Sequence, residues 1–183
     1  MRTPVFCSII FSAVFACAQD LPEKGEPYRI QGLHVGIGAG IDVAGMFGGR
    51  LTYWPIPQAS VFVGGGWMVF KEAWCYGAEI RTPTRRLASP FVTAMHGANA
   101  AVVVRGRGDM SRLYYGNSIG AGIMLRQRNN RNYWRFAIYL PFRSQEFYDY
   151  REMLLGRPNI EKLGDVYPIT VSIGVHLCLW SRR

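Results

Sequence analysis

The histidines and two of the serines are the side chains of this sequence that could carry out a reaction. His34, His96 and His176 could serve as bases for a serine nucleophile at Ser118 or Ser172. A serine hydrolase needs its nucleophile, base and orienting acid within hydrogen-bond reach. Ser172 and His176 stand four positions apart in a predicted strand, about 13 Å by strand rise, so they cannot pair directly. No Ser and His share a local motif, and we predict no catalytic residues.

The glycines of residues 36–40 resemble the start of a dinucleotide-binding loop. The segment reads Gly36-Ile37-Gly38-Ala39-Gly40, but the later glycine of that fingerprint is absent and no helix is predicted to follow. Similar small residues recur at Ile119 to Ile123. We interpret both segments as strands that place small residues inward. The sequence therefore predicts no cofactor site, and it shows no metal-ligand motif.

Composition and charge favour a membrane β-barrel over a nucleic-acid-binding protein. The formal net charge is +9, but the arginines are scattered and no basic helix or zinc-finger spacing is present. Anionic lipid and lipopolysaccharide are the partners that this charge suggests instead, and nucleic acid is not expected. Charged residues make up 18% of the chain, aromatic residues 14%, and there are 21 glycines, which suits strands with small inward residues and aromatic belts.

The N-terminus has the three parts of a signal peptide, over residues 1–18. Arg2 supplies the charged region, Val5 to Phe15 the apolar region, and Ala16-Cys17-Ala18 a cleavage site with small residues. The apolar run is shorter than the roughly 20 residues that span a bilayer. We predict export and a mature chain that begins at Gln19, with a polar lead over residues 19–27. An alternative is lipidation of Cys17 in an imperfect lipobox.

The last predicted strand, Pro168 to Trp180, shows the pattern that decides the fold. From Ile169 to Leu179 every odd position is apolar, whereas the even positions are Thr170, Ser172, Gly174, His176 and Cys178. In a soluble sandwich the apolar face would point to the core, but in a membrane barrel it points to lipid. The polar even face favours the membrane barrel. The soluble alternative is an exported lipocalin-like binding barrel with large apolar residues inside.

Seven further short alternating segments precede this strand, within a predicted barrel domain of residues 28–180. They are Leu33 to Val43, Arg50 to Trp54, Val61 to Phe70, Cys75 to Arg81, Phe91 to Val104, Tyr115 to Arg126 and Trp134 to Phe142. The fold predicted is all-β: an eight-stranded antiparallel up-and-down transmembrane β-barrel.

The connections between these segments alternate in length, as in an outer-membrane barrel. The periplasmic side receives the short turns Pro55 to Gln58, Pro83 to Ser89 and Asn129 to Asn132. The outside receives Ala44 to Gly49, Lys71 to Ala73, Arg105 to Arg112 and the long Ser144 to Tyr167. Aromatic residues near the strand ends are interpreted as two interfacial belts. The periplasmic belt is Tyr28, Trp54, Phe91, Trp134 and Trp180, and the outer belt is Phe47, Trp74, Tyr115, Phe142 and Tyr167.

From Tyr28 to Trp180 the chain resembles the small eight-stranded bacterial outer-membrane barrels of the OmpA/OmpX-like group. The resemblance depends on architecture and on the terminal strand His176-Leu177-Cys178-Leu179-Trp180. Ser181-Arg182-Arg183 follows that strand, where members of this group often end on the aromatic residue. The resemblance implies a bacterial outer-membrane location and a non-enzymatic role in envelope structure or in contacts of the external loops. A lipid-modifying barrel enzyme is the catalytic alternative.

The even positions of the strands predict a polar lumen. The expected lumen network is Asp42, Arg50, Glu79, Arg81, Arg135, Tyr139 and His176, within an inward set that also includes His34, Thr52, Arg126, Thr170 and Ser172. Eight strands enclose only enough space for side chains, so the barrel should not conduct. Glu79 is expected to pair with a neighbouring arginine, and surplus arginines with Tyr139, Ser172 or carbonyl groups.

Two further expectations follow from this topology. Cys75 is placed at the outer rim and Cys178 at the periplasmic rim, a separation of the order of 25 Å, so both thiols should be free. The segment 144–167 is too long for a simple hairpin, and loops of that length are usually functional or disordered. We expect it to be the main external contact surface, for a ligand that the sequence does not identify.

Overall fold

The described residues form a closed barrel of eight antiparallel strands with one external helix. The structure, a computed structural model, describes residues 30–84, 87–104, 110–127, 131–156 and 167–181. The strands are β1 Gly32–Gly40, β2 Gly45–Ile56, β3 Ala59–Met68, β4 Lys71–Arg81, β5 Ala88–Val102, β6 Arg112–Arg126, β7 Tyr133–Pro141 and β8 Thr170–Trp180. Helix α1 is Gln145–Leu155. The predicted signal peptide, the lead, Cys17 and Tyr28 lie outside the described residues.

Each strand pairs with the next along the chain, and β1 pairs with β8 to close the sheet. The register of the closing pair sets Val35 opposite Leu177 and Ile37 opposite Val175. Closure satisfies the backbone groups that an open sheet edge would leave unpaired. The predicted all-β, eight-stranded up-and-down barrel is confirmed.

Large apolar side chains face outward and polar or small ones face inward. In β8, Val171, Ile173 and Leu177 are exposed, while Ser172 and His176 are buried. This arrangement reverses the usual pattern of a soluble β-protein, in which the alternating apolar face packs on the core. It is the alternation that a transmembrane barrel requires. Among the described residues, no helix is long and apolar enough to cross a membrane.

The first predicted strand is too long, because the chain leaves the barrel wall after Gly40. Ile41–Val43 forms a 3-10 turn, and Ala44 after it has a left-handed conformation with φ 57°. Strand β2 then begins at Gly45, so most of the predicted loop Ala44 to Gly49 belongs to a strand. The predicted loop Lys71 to Ala73 likewise belongs to β4, since the β3–β4 turn lies at Val69 and Phe70.

Two neighbouring strands and the helix project beyond the rest of the barrel on one side. Strands β5 and β6 have 15 residues each, and their register shifts between Ala98 and Ala100. Helix α1 lies in the predicted loop 144–167 and packs Phe147 and Leu154 against this hairpin. The sequence prediction of a loop over 144–167 missed the helix, whereas the predicted strands Phe91 to Val104 and Tyr115 to Arg126 differ from β5 and β6 only by a few residues at their ends.

Two residues of the predicted aromatic belts face the lumen instead. Trp54 is fully buried and Phe91 nearly so. Both follow the inward parity of their strands, so position near a strand end was a poor guide to the face. The other described belt residues are exposed or half-buried on the outer surface, namely Phe47, Trp74, Tyr115, Trp134, Phe142, Tyr167 and Trp180.

Candidate functional site

All seven predicted network residues are buried inside the barrel, but in two groups. The first group brings together Asp42, Arg50, Glu79 and Arg135, which we name the lumen quartet. Tyr139 lies beside the quartet and accepts a hydrogen bond from Arg135. Arg81 and His176 belong to the second group, described below. The other residues of the predicted inward set differ in how deeply they are buried. His34, Thr52 and Ser172 are buried, whereas Arg126 and Thr170 are half-buried.

Arg50 joins the two acids of the quartet. Its Nη1 donates to Asp42 Oδ2 at 3.0 Å, and its Nη2 donates to Glu79 Oε2 at 3.1 Å. The Nε of the same guanidinium donates to Thr52 Oγ1 at 3.1 Å. Charge-assisted hydrogen bonds of this kind are stronger than neutral ones, and they offset part of the cost of burying the charges.

Arg135, on strand β7, contacts the same two acids. Its Nη2 donates to Glu79 Oε2 at 2.8 Å and to the Tyr139 hydroxyl at 2.7 Å, and its Nη1 donates to Asp42 Oδ2. Two arginines therefore share two carboxylates, and the buried charges balance. The sequence predicted an arginine partner for Glu79 without identifying it. The structure gives Glu79 two such partners, Arg50 and Arg135.

Aromatic rings cover the outer faces of both guanidinium groups. The Arg50 Cζ lies 3.5 Å from the centroid of Phe62, and the Arg135 Cζ lies 4.4 Å from that of Phe91. A cation over an aromatic face is attracted by the ring quadrupole. Sequence analysis missed both rings, although Phe62 follows the even, inward parity of its strand.

Asp42 enters the quartet because the β1–β2 connection folds into the lumen. Ile41, Val43 and Ala44 are buried with it, and we name residues 41–44 the inner plug. Asp42 also accepts from Ser172 Oγ through its carboxylate and from Cys75 Sγ, at 3.3 Å, through its backbone carbonyl. Cys75 is thus a buried lumen residue rather than a rim residue. Cys75 and Cys178 are both free.

Glycines of the neighbouring strands leave the space that the inner plug occupies. A Cβ on Gly64 would lie 2.9 Å from the Asp42 carbonyl oxygen and 2.8 Å from Cys75 Sγ. A Cβ on Gly48 or Gly66 would collide with the Val43 carbonyl oxygen. These contacts explain why small residues recur on the inward face near the plug.

The second group consists of aromatic and basic side chains nearer the opposite end of the lumen. Tyr133 stacks on His176 with ring centroids 4.6 Å apart and lies 5.5 Å from the ring of His34. The Arg81 guanidinium lies 5.0 Å from the Trp54 ring, and its Nε donates to the Pro57 carbonyl at 2.7 Å. Arg81 therefore contacts a backbone carbonyl group and an aromatic ring at this end of the lumen.

Ser172 and His176 have different partners in the structure. Ser172 Oγ donates to Asp42 and to the Ala39 carbonyl, while His176 stacks on Tyr133. His96 lies on the outer surface, with its Nδ1 3.0 Å from Asn117 Oδ1. Within the described part of the chain, no group of three His, Cys, Asp or Glu residues is placed to hold a metal ion. Ser172 and His176 therefore take part in the packing and charge balance of the lumen.

At one end of the barrel, helix α1 forms a second small apolar core with the β5–β6 hairpin. Phe147 and Leu154 are buried against Ala100 and Val102 of β5. The ring centroids of Phe147 and Tyr114 lie 5.4 Å apart, with the two rings nearly perpendicular. The Tyr150 hydroxyl donates to the Met110 carbonyl at 2.7 Å. Side chains at positions 147, 150 and 154 share one helix face, as the helical period requires. The described part of the segment 144–167 therefore contains a helix that packs at this end of the barrel.

A solved structure shares this architecture. The N-terminal β-barrel domain of Pseudomonas aeruginosa OprF aligns with 81% of this chain and 97% of its own length, at a TM-score of 0.50 and 13% identity. The chain has the fold of that barrel domain. The fold expected from the OmpA/OmpX-like resemblance is thereby confirmed, and the low identity limits the likeness to the fold. No protein-family model matches the sequence, and no curated protein does.

Proposed function

We propose that this protein is a non-enzymatic barrel of the bacterial outer membrane that acts in envelope structure or through contacts of its external segments. The observation that carries the proposal is the reversed alternation, with Ile, Val, Leu and Trp side chains outward and a charge-balanced polar network inward. An outward apolar surface of this extent is unfavourable in water, whereas lipid solvates it. The likeness to the OprF barrel domain is in keeping with this proposal.

The proposal includes the targeting and the partners expected from the sequence. Residues 1–18 direct export and are removed, so the mature chain begins at Gln19 and carries no lipid. Outer-membrane lipid and lipopolysaccharide surround the barrel. The segment 144–167 and the long β5–β6 hairpin face the outside, because helix α1 makes this end of the barrel the larger one. A ligand at the cell surface would meet this segment first.

Membrane fractionation and a heat-shift gel test the location together. We expect the protein in the outer-membrane fraction, and we expect unboiled samples to migrate differently from boiled ones, because closed barrels resist detergent until heated. A stably folded protein in the soluble periplasmic fraction would instead support the lipocalin-like alternative. A change in lipid A mass on deletion of the gene would support the enzyme.

Protease added to intact cells tests the orientation. Trypsin should cut first within 144–167, which contains Arg151, Arg157 and Lys162. The matched control is the turn region 83–89 at the other end of the barrel, which contains Arg85 and Arg86. Cleavage confined to 83–89 would mean that the barrel has the opposite orientation.

A further inference from the structure

The outer wall of the barrel carries a polar pair of side chains where β4, β5 and β6 run side by side. His96 on β5 and Asn117 on β6 lie opposite each other in the register, and the His96 Nδ1 lies 3.0 Å from Asn117 Oδ1. Outward positions of the described strands otherwise carry apolar, aromatic or glycine residues, apart from charged residues near the strand ends. We name His96 and Asn117 the outer polar pair.

The outer polar pair lies on the membrane side of the outer aromatic belt. The belt residues Trp74 and Tyr115 occupy the next outward row toward the helix-bearing end, about 7 Å along the strands. Their ring centroids lie 5.0 Å apart, and Ala98, opposite Tyr115 in the register, is fully buried. The outward rows toward the other end are apolar. In a membrane the pair would therefore lie at the edge of the hydrocarbon, below the ring of aromatic side chains.

The outer polar pair leaves one hydrogen-bond donor and one acceptor without a partner. Among the described residues, neither side chain makes a hydrogen bond except to the other. When Nδ1–H of His96 donates to Asn117 Oδ1, the imidazole Nε2 remains an acceptor and the carboxamide NH2 a donor. The other tautomer, with the carboxamide turned over, exchanges these two roles. Hydrocarbon satisfies neither group, and polar side chains at membrane depth form hydrogen bonds across protein contacts.

The apolar row next to the pair has both a hollow and a projection. Ala78, Ala94 and Ile119 lie side by side in the register, and all three are exposed. The two alanines leave a shallow hollow beside the longer side chain of Ile119. Small residues at a membrane interface allow two walls to approach closely. Because hollow and projection lie at one depth, a two-fold axis along the membrane normal sets Ile119 of one copy over Ala94 of the other.

We propose that this face joins two copies of the chain in a symmetric dimer within the membrane. Around a two-fold axis between β5 and β6, His96 of each copy meets Asn117 of the other, so the free donor and the free acceptor pair twice. This pairing depends on the proposed membrane location, because water would solvate the same groups. A lipid headgroup is the competing occupant of the face, and it would leave the protein monomeric.

Chemical crosslinking in vesicles at a high lipid-to-protein ratio tests the contact. Ala94→Cys places a thiol beside the two-fold axis, whereas Ile37→Cys places an exposed one on β1, across the barrel. Both variants also carry Cys178→Ser, while Cys75 is buried. A short bismaleimide should join the Ala94→Cys protein into dimers and leave the Ile37→Cys protein monomeric. Equal dimer yields at the two positions, or no dimer at Ala94→Cys, would overturn the proposal.

Asn117→Leu tests the contribution of the outer polar pair. The change removes one partner from both hydrogen bonds between the copies, so the dimer Kd in vesicles, measured by energy transfer, should rise about tenfold. Tyr53→Leu on β2 is the matched control, since it removes an outward polar group elsewhere and should leave the Kd unchanged. The heat-shift gel verifies that each variant is folded. An unchanged Kd for Asn117→Leu would contradict the proposed pairing.

The proposed dimer and the proposed location fail separately. A protein of the outer-membrane fraction that stays monomeric contradicts only the dimer. If lipopolysaccharide also purifies with that monomer and Asn117→Leu releases it, a lipid headgroup occupies the face. A protein of the soluble fraction that still crosslinks through Ala94→Cys, and not through Ile37→Cys, contradicts only the membrane location.

Discussion

At the scale of single residues, the stability of the barrel interior depends on charge balance. Glu79 Oε2 accepts from both Arg50 and Arg135, so one carboxylate holds two buried guanidinium groups. Removing one partner of a buried ion pair leaves an uncompensated charge, which is far more costly than never having had the pair. Glu79 is thus the residue at which a small change should have the largest effect.

Glu79→Ala should lower the free energy of unfolding by about 3–5 kcal/mol, because both arginines lose an acceptor while they remain buried. The control is Glu72→Ala on the same strand, where the glutamate is exposed, and the change should stay within about 0.5 kcal/mol. Urea unfolding in lipid vesicles measures both variants. Equal effects at the two positions would show that the quartet contributes no stability of its own.

At the scale of elements, the inner plug is the part that departs from a plain up-and-down barrel. Residues 41–44 turn into the lumen and deliver Asp42 to the quartet. Gly40 at φ 131° and Gly45 at φ 159° flank the turn, and the first of these values favours glycine. The plug, the quartet and the inward glycines form one packed unit, so a change in any of them should disturb the others.

Gly64→Ala should destabilise the barrel by about 1–3 kcal/mol, the usual range for overpacking a core. The new methyl group would meet the Asp42 carbonyl and Cys75 at 2.9 and 2.8 Å. Gly65→Ala is the control, because its methyl group would point outward with its nearest contact at 3.8 Å. Unfolding midpoints compare the two variants. A neutral Gly64→Ala would mean that the plug does not occupy the lumen as described.

At the scale of the whole molecule, side chains fill the interior. The lumen contains the quartet, the inner plug and the stacked rings of Tyr133 and His176. An eight-stranded barrel is just wide enough for such side chains. The molecule is therefore a barrel with a side-chain-filled lumen and an apolar outer surface, and helix α1 packs at one end of it.

Planar-bilayer recordings should show no steady ohmic conductance for the unsubstituted protein, because the buried quartet and plug occupy the lumen of a barrel that is only wide enough for side chains. The positive control is a porin reconstituted in the same lipid. A stable open channel would contradict this prediction. It would support a function in transport instead of one in envelope structure or surface contacts.

The alternation of side chains was sufficient to predict the barrel and which way most residues point. A period of two is a local property, so Ser172, His176, Arg135 and Tyr139 could be assigned to the lumen from their strands alone. The prediction failed where parity was ignored. Trp54 and Phe91 were assigned to the belts from their places near strand ends, yet their parity is inward and they are buried.

Only the tertiary structure decided which polar groups meet. Asp42 and Arg135 are 93 residues apart, and they pair because closure of the barrel and the inward turn of residues 41–44 bring them together. Helix α1 likewise depends on a tertiary contact, because its apolar residues Phe147 and Leu154 pack on the β5–β6 hairpin. Sequence periodicity reports the face of a strand, whereas pairing across a lumen and docking of a short helix depend on contacts between distant residues.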